Sequence, residues 1–162
     1  MNVDAMVNEV AALGDALRAR GEHLGTAESC TGGLIAAACT AVAGSSDWFE
    51  RGIVSYSNEA KAECLGVPPA LVAAHGAVSR EVALAMAQGL LSRAPVQWTV
   101  AVTGIAGPGG GTPDKPVGTV WLAWGRDGAL QAERLQLDGD RSAIRRRTVE
   151  IALQRLREAL GA

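Results

Sequence analysis

The sequence predicts a single-domain α/β fold over residues 1–162, a three-layer α/β/α sandwich with a mixed sheet. Helical patterns and short apolar strands alternate along the chain, as they do where helices cover both faces of a sheet. One late pair of strands is separated only by Arg126-Asp127-Gly128, and its Asp-Gly pair signals a tight hairpin. Because a tight turn can only join antiparallel neighbours, the sheet is expected to be mixed rather than wholly parallel.

The first half of the chain is predicted to contain three helices, one further helical turn and two extended segments. Apolar residues at helical spacing predict a first helix at 3–20, which Gly21 would end. The Ala-rich segment 34–42 is almost wholly apolar and predicts a buried helix. The other elements predicted here are an extended segment at 23–27, a strand at 49–56, a short helix at 58–65 and one helical turn at 70–74.

The second half begins with a helix that Ser79 is expected to cap and that runs to about Leu91. A mostly apolar strand at 97–103 has the composition of a central strand. The Gly- and Pro-rich segment 104–116 cannot form regular structure. Two strands at 117–124 and 129–137 form the hairpin, and Asp140 would cap a last helix from Arg141 to Leu160.

Composition excludes several classes of function. The formal net charge of −2 argues against a nucleic-acid-binding surface. There is no apolar run of about 18 residues, so no membrane span is expected. The three cysteines are an odd number without CxxC spacing, which disfavours a disulfide framework and a zinc site and fits a reducing cytoplasm.

The first candidate site is the segment Glu28-Ser29-Cys30-Thr31-Gly32-Gly33, between a predicted strand and a predicted helix. A strand-to-helix turn presents free backbone N–H groups that suit an anion or a developing oxyanion. Ser29 is the candidate nucleophile. Cys30 is its rival, because a thiolate at a helix N-terminus would be activated by the helix dipole. The alternative without chemistry is helix capping by the serine or threonine.

The second candidate is the segment from Tyr56 to Lys61. Tyr56 is the only tyrosine, and Lys61 is one of two lysines among fifteen cationic residues. A serine nucleophile needs a base, and the two histidines sit in no recognisable motif. A lysine held neutral by burial is therefore the expected base, with the Tyr56 phenol relaying or orienting the proton. The alternative is a surface lysine beside a half-buried tyrosine.

Two further features could bind an anionic group. The loop with Thr103, Gly104 and Gly107 can form a nest of N–H groups for phosphate, although it is not a Walker A loop; the alternative is a flexible loop. Arg145 falls on the apolar stripe of the last helix, where a buried arginine needs a carboxylate partner or a bound anion. Arg141 is the other candidate.

Taken together, these segments resemble the CinA C-terminal domain family, with which they share their order over roughly residues 4–160. The matching segments are 27–33, 44–46, 56–58 with Lys61, 65–67, 76–79, 103–108, 116–120 and 139–141. The resemblance implies an α/β/α fold and hydrolysis of the amide of nicotinamide mononucleotide to nicotinic acid mononucleotide and ammonia. It implies no metal or organic cofactor. Some members carry an additional N-terminal domain, whose activity is not expected here.

The resulting hypothesis is a cytoplasmic amidase acting on a small pyridine mononucleotide. Ser29, Lys61 and Tyr56 would form the catalytic group, and the loop at 103–107 with Arg141 or Arg145 would hold the phosphate. The turn residues Cys30, Thr31, Gly32 and Gly33 would contact the substrate. The alternative is a non-enzymatic nucleotide-binding regulatory module with the same pocket. The Ala-rich helices leave open whether the chain forms a homodimer.

Overall fold

The computed structural model describes residues 6–162 and contains one five-stranded sheet with helices on both faces. The predicted α/β/α class and mixed sheet are confirmed. The helices are α1 (Val7–Arg20), α2 (Leu34–Thr40), α3 (Asn58–Leu65), α4 (Pro69–His75), α5 (Arg80–Arg93) and α6 (Arg141–Leu160). The strands are β1 (Leu24–Glu28), β2 (Phe49–Val54), β3 (Trp98–Gly104), β4 (Thr119–Arg126) and β5 (Ala129–Gln136).

The sheet has the order β2-β1-β3-β4-β5. The strands β2, β1 and β3 are mutually parallel, whereas β3, β4 and β5 are antiparallel neighbours. The β4–β5 hairpin closes at Asp127-Gly128, because Arg126 pairs with Ala129. The Asp-Gly prediction is therefore confirmed, and Gly128 takes a φ of 74° that favours glycine.

The two faces of the sheet carry separate apolar cores. On one face α1, α2 and α6 pack together, and the buried stripe of α6 includes Val149, Ala152, Leu156 and Leu160. On the other face α5 packs on the sheet with α3 and α4 outside it. No helix among residues 6–162 is long and apolar enough to cross a membrane.

The predicted helix ends agree best with the observed ones where a capping residue defines the end. Ser79 Oγ accepts from Val82 N at 3.2 Å, and Asp140 Oδ1 accepts from Ala143 N at 2.8 Å. Helix α1 ends at Gly21 as expected, with a φ of 63°. Residues 3–5 of the predicted first helix lie outside the described residues.

At three places a predicted bound lies two residues beyond the observed one. Helix α2 ends at Thr40 rather than residue 42, and β2 ends at Val54 rather than residue 56. The hairpin begins at Thr119 instead of residue 117. Strand β2 ends early because the carbonyls of the next two residues, Ser55 and Tyr56, accept hydrogen bonds from the Lys61 side chain.

A substitution in α5 tests the packing of that helix. A Cβ atom on Gly89 would collide with the backbone of Leu65, the last residue of α3. Backbone cannot move aside as a flexible side chain can, so we expect Gly89→Ala to lower the free energy of unfolding by about 1–3 kcal/mol. Thermal and denaturant unfolding measure the change. The matched control is Gly109→Ala, whose Cβ would have no heavy atom within 4 Å. Equal stability of the two variants would contradict the packing described here.

Candidate active site

The candidate site lies at the edge of the sheet where the three parallel strands end. Strand β1 ends at Glu28 between β2, which ends at Val54, and β3, which ends at Gly104. Helix α2 leaves β1 on one face of the sheet, whereas α5 enters β3 from the other face. This divergence opens a crevice beyond the strand ends, the position at which open α/β sheets commonly bind ligands.

The turn that follows β1, residues 29–33, is called here the Ser29 turn. Ser29 N donates to Val102 O at 3.1 Å, which fixes the turn to the end of β3, and Gly32 N donates to Ser29 O at 3.0 Å. Gly32 and Gly33 have φ values of 59° and 95°, a region that side-chain-bearing residues avoid. Both positions therefore require glycine for the backbone conformation of the turn.

The capping alternative for Ser29 is wrong, because α2 is capped by a different residue. The N-cap position is Gly33, without a side-chain hydrogen bond. The amides of Ile35 and Ala36 instead donate to the carboxylate of Glu28, at 2.9 and 3.0 Å. The amides of Ile35 and Ala36 at the helix start are therefore already bound by the Glu28 carboxylate, and these two amides are not available to a substrate anion.

The remaining donors for an oxyanion lie in the Ser29 turn itself. Across residues 6–162, the amide nitrogens of Cys30, Thr31 and Gly33 have no hydrogen-bond acceptor. Unpaired amides beside a nucleophile can stabilise the negative charge of a tetrahedral intermediate. The Cys30 amide immediately follows Ser29, so it is the nearest of these groups in the chain.

Lys61 is buried directly beside Ser29. Its side chain is only 1% exposed, and its Nζ lies 3.2 Å from Ser29 Oγ. Nζ also donates to the carbonyls of Ser55 at 3.1 Å and Tyr56 at 3.3 Å. Burial removes water from the ammonium and so holds the pKa of Lys61 below its ordinary value of 10.5. The alternative of a surface lysine is wrong.

Local sequence explains how Lys61 reaches this position. Ser57 caps α3, with its Oγ accepting from Ala60 N at 3.0 Å. The helix therefore begins immediately after the strand end, and Lys61 lies within its first turn, facing inward. Ser55 N donates to Glu28 O at 2.9 Å, which ties the end of β2 to the end of β1.

A cleft of about 200 Å³ opens over Ser29 and Lys61. Seven of the predicted site residues line it: Ser29, Cys30, Tyr56, Lys61, Thr103, Gly104 and Arg141. Four residues that were not predicted as contacts also line it: Asn58, Ala77, Val78 and Ala106. Asn58 could have been suspected from its place between Tyr56 and Lys61, whereas Ala77 and Val78 carry no chemical signal.

Five predicted site residues lie outside the lining of the cleft. Thr31, Gly32 and Gly33 shape the Ser29 turn, and the Thr31 hydroxyl donates to Glu28 at 2.6 Å. The Gly107 carbonyl accepts from Arg141 at 2.9 Å. Arg145 lies behind the turn and donates to the carbonyls of Cys30 and Thr31, both at 3.1 Å. Its partners are thus backbone oxygens, not the carboxylate that was one of the two expectations.

Tyr56 and Arg141 form the outer wall of the cleft. Tyr56 is 59% exposed, and its hydroxyl accepts from Arg141 Nη2 at 3.0 Å. Only the backbone carbonyl of Tyr56 contacts Lys61. The phenol is therefore directed towards the guanidinium, while Lys61 reaches Ser29 without an intermediate group.

The strand end at Thr103 and Gly104 forms the opposite wall. Thr103 Oγ1 donates to Ala77 O at 2.9 Å, which joins β3 to the segment before α5. A Cβ atom on Gly104 would lie 3.1 Å from Cys30 Sγ and 2.7 Å from Val120 Cγ2. Glycine at this position therefore allows the end of β3 to lie close to Cys30 of the Ser29 turn and to β4.

Neither of the two histidines contributes to the cleft lining. His75 is exposed and lies 3.7 Å from Glu81. Within residues 6–162, no three His, Cys, Asp or Glu side chains come together as a metal site would require.

Cys30 is not expected to be the nucleophile. Burial raises the pKa of its thiol to about 11, so the thiol keeps its proton at neutral pH and the nucleophilic thiolate is scarce. If the chain has the amidase activity that the resemblance implies, Cys30→Ala should retain kcat within about threefold of the wild type, the scale of a small packing change. Steady-state ammonia release measures this. A loss of activity comparable to that of a Ser29 variant would make Cys30 the nucleophile.

The chain is similar to known proteins over nearly its whole length. The family model described as the CinA C-terminal domain matches residues 7–160. A nicotinamide-nucleotide amidohydrolase PncC from Pseudomonas putida is 52% identical over 154 residues, covering 95% of this chain and 96% of that protein. The protein of the same name from Escherichia coli K12 is 52% identical over 145 residues, covering 89% of this chain and 88% of that protein. The competence/damage inducible protein CihA from Agrobacterium tumefaciens superposes with a TM-score of 0.92 at 45% identity, covering 97% of this chain and 96% of that one.

Proposed function

Since the chain belongs to the CinA C-terminal domain family, we propose that it is a nicotinamide-nucleotide amidase that hydrolyses nicotinamide mononucleotide to nicotinic acid mononucleotide and ammonia. Relatives that carry the name nicotinamide-nucleotide amidohydrolase match nearly the whole chain. The single observation that supports the chemistry is the buried Lys61 amine 3.2 Å from the Ser29 hydroxyl. A nucleophile with an adjacent base is what acyl transfer requires.

The three contacts of Lys61 Nζ can be made by an ammonium, which donates to all three, or by a neutral amine, which donates to the two carbonyls and accepts from Ser29. A neutral amine has two N–H donors and one lone pair, whereas an ammonium has three donors and no acceptor. Two carbonyls, those of Ser55 and Tyr56, take the two donors. The lone pair is then available to accept the proton of the Ser29 hydroxyl. The lowered pKa of Lys61 favours this neutral state.

In the proposed reaction Ser29 Oγ attacks the carboxamide carbon as its proton passes to Lys61. The oxyanion of the tetrahedral intermediate lies towards the unpaired amides of the Ser29 turn, a contribution commonly worth about 2.7–4 kcal/mol per donor. Lys61 returns the proton to the departing nitrogen, which leaves as ammonia, and an ester forms on Ser29. Water, deprotonated by Lys61, then cleaves that ester and restores the serine.

The walls of the cleft suit an anionic substrate. Arg141 is the one permanent cation among the lining residues, and none of them is a carboxylate. Arg141 therefore holds the substrate phosphate in this proposal, together with the loop that follows Thr103. Arg145 is the less favoured candidate, because it already donates to two carbonyls behind the turn. Tyr56 orients Lys61 through its carbonyl and Arg141 through its hydroxyl.

The pH dependence of kcat/KM should show an acidic limb set by Lys61. Burial disfavours the ammonium, so its pKa lies below 10.5. Below that pKa, Lys61 holds a proton and cannot act as a base, and activity should therefore rise with pH through it. The measurement is ammonia release across the pH range in which the protein stays folded. A rate that does not rise with pH over this range would contradict lysine as the base.

Incubation of the purified chain with nicotinamide mononucleotide tests the proposed function. Ammonia release and formation of the acid, followed by mass spectrometry, are the expected result. Nicotinamide, which lacks the ribose phosphate, is the matched control and should be turned over far less well. Thermal stabilisation by the nucleotide without any ammonia would contradict the amidase and favour a regulatory binding module.

A further inference from the structure

The Ser29 turn is held from two sides by charged side chains that do not line the cleft. Glu28 contacts the helix that leaves the turn, and Arg145 contacts carbonyl oxygens of the turn itself. Neither side chain is needed for proton transfer in the mechanism above. Their positions nevertheless determine where the Ser29 hydroxyl and the unpaired amides of the turn lie.

Glu28 is fully buried, and its carboxylate is surrounded by donors. It accepts from the Thr31 hydroxyl and from the amides of Ile35 and Ala36, at 2.6 to 3.0 Å. The Thr26 hydroxyl is a further donor, at 3.4 Å. An ionised carboxylate only accepts, so each donor is satisfied. These bonds fold the chain back from β1 onto the start of α2.

The backbone of Glu28 connects the nucleophile to its base. Its carbonyl accepts from Ser55 N at 2.9 Å, and the Ser55 carbonyl accepts from Lys61 Nζ at 3.1 Å. Besides the direct contact of Lys61 Nζ with Ser29 Oγ, Glu28 therefore lies on a second path, of two hydrogen bonds, between the Ser29 turn and the amine. A shift of Glu28 would change the separation of Ser29 Oγ from Lys61 Nζ.

Arg145 acts on the opposite side of the same turn. Its Nε donates to Cys30 O and its Nη2 to Thr31 O. In a planar trans peptide the N–H points away from the C=O. The guanidinium therefore fixes the Cys30–Thr31 peptide with the Thr31 N–H directed away from Arg145, and that amide is one of the unpaired donors. A cation on the carbonyl also polarises the peptide and strengthens its N–H as a donor.

We propose that Glu28 and Arg145 are positioning residues for catalysis, which together hold the Ser29 turn so that Ser29 meets Lys61 and the turn amides face the oxyanion. This inference rests on the proposed function. Under this proposal Arg145 positions the Ser29 turn and does not bind the phosphate. Loss of either residue should slow the chemical step without weakening substrate binding, because neither lines the cleft.

The test measures kcat and KM for nicotinamide mononucleotide in Glu28→Gln and Arg145→Lys. Gln cannot accept at both positions of the carboxylate, and Lys carries its donors on one nitrogen, whereas Arg145 holds the two carbonyls with two separate nitrogens of a planar guanidinium. We expect kcat to fall by about 100-fold, the scale of a small misplacement of reacting groups, with KM changed by less than about threefold. The matched controls are Glu63→Gln and Arg146→Lys, two exposed residues of the same types, which should keep wild-type values.

Three results would overturn the proposal. The first is wild-type kcat in either variant. The second is a raised KM at unchanged kcat in Arg145→Lys, which would place Arg145 on the substrate. The third is equal labelling of Ser29 by a fluorophosphonate in wild type and variants, because positioning should slow this reaction too. If Glu28→Gln does not fold, as judged by circular dichroism, Thr31→Val removes only the hydroxyl donor and should lower kcat by about tenfold.

The labelling experiment separates this proposal from the amidase proposal. A wild type that labels at Ser29 but releases no ammonia contradicts the amidase assignment alone, and slower labelling of the variants then still supports positioning. A wild type that releases ammonia while its variants match it in kcat contradicts positioning alone. A wild type without labelling at Ser29 and without ammonia release contradicts both.

Discussion

An arginine in place of Lys61 is expected to lower kcat for nicotinamide mononucleotide by about 100- to 10,000-fold, the usual contribution of a positioned general base. Lys61 is almost fully buried, and its Nζ lies 3.2 Å from Ser29 Oγ. A guanidinium stays protonated in proteins and cannot take the serine proton. Steady-state ammonia release, with folding checked by circular dichroism, measures the loss.

The chain contains one other lysine and so supplies a matched control. Lys115 is half-buried and donates to His75 O at 2.7 Å. Lys115→Arg keeps the charge there and should leave kcat within about twofold of the wild type. If Lys61→Arg stayed as active as Lys115→Arg, another group would have to be the base.

Alanine in place of Ser29 is expected to reduce kcat on the order of 10⁴-fold or more, because no covalent intermediate can form. The residual rate would come from binding and from the amides of the Ser29 turn. Substrate binding should survive, since Arg141 and the other walls of the cleft are unchanged. Nucleotide-dependent thermal stabilisation of the inactive variant, measured alongside ammonia release, would show that the pocket is intact.

Ser92→Ala is the control for this substitution. Ser92 is exposed on α5, and its hydroxyl only donates to Gln88 O within the same helix. Its removal should leave kcat unchanged. Substantial ammonia release by Ser29→Ala, at a rate near that of Ser92→Ala, would remove Ser29 from the mechanism.

The fold could be predicted largely from local patterns. The Asp-Gly pair identified the antiparallel hairpin, and the caps at Ser79 and Asp140 marked the starts of α5 and α6 within a residue. These signals are local, because a cap or a tight turn is decided by a few neighbouring residues. The end of β2 was missed because it depends on a side-chain contact that no cap or turn signal marks: Lys61 donates to the carbonyls of Ser55 and Tyr56.

The candidate site was predictable in part. The order of the strands brings the segments at Ser29, Lys61 and Thr103 to one edge of the sheet, and the structure places these residues in one cleft. The sequence left the partner of Arg145 open between a carboxylate and a bound anion. Backbone carbonyls as partners could not be foreseen, since they depend on how α6 lies against the Ser29 turn.

Glu28 shows most clearly what a motif alone does not reveal. It stands next to Ser29 in the sequence, yet its carboxylate folds forward onto amides seven and eight residues further along the chain. The helix start was therefore interpreted as open to an external anion, although an internal one occupies it. Only the three-dimensional path of the turn distinguishes these cases.

The most direct test of Ser29 as the nucleophile is to trap the acyl-enzyme. The protein is mixed with nicotinamide mononucleotide, quenched in acid during turnover, digested and examined by peptide mass spectrometry. The proposed mechanism predicts a nicotinic acid mononucleotide ester on Ser29 in the wild type and in Cys30→Ala, and none in Ser29→Ala. An adduct on Cys30, or undiminished ammonia release by Ser29→Ala, would contradict it.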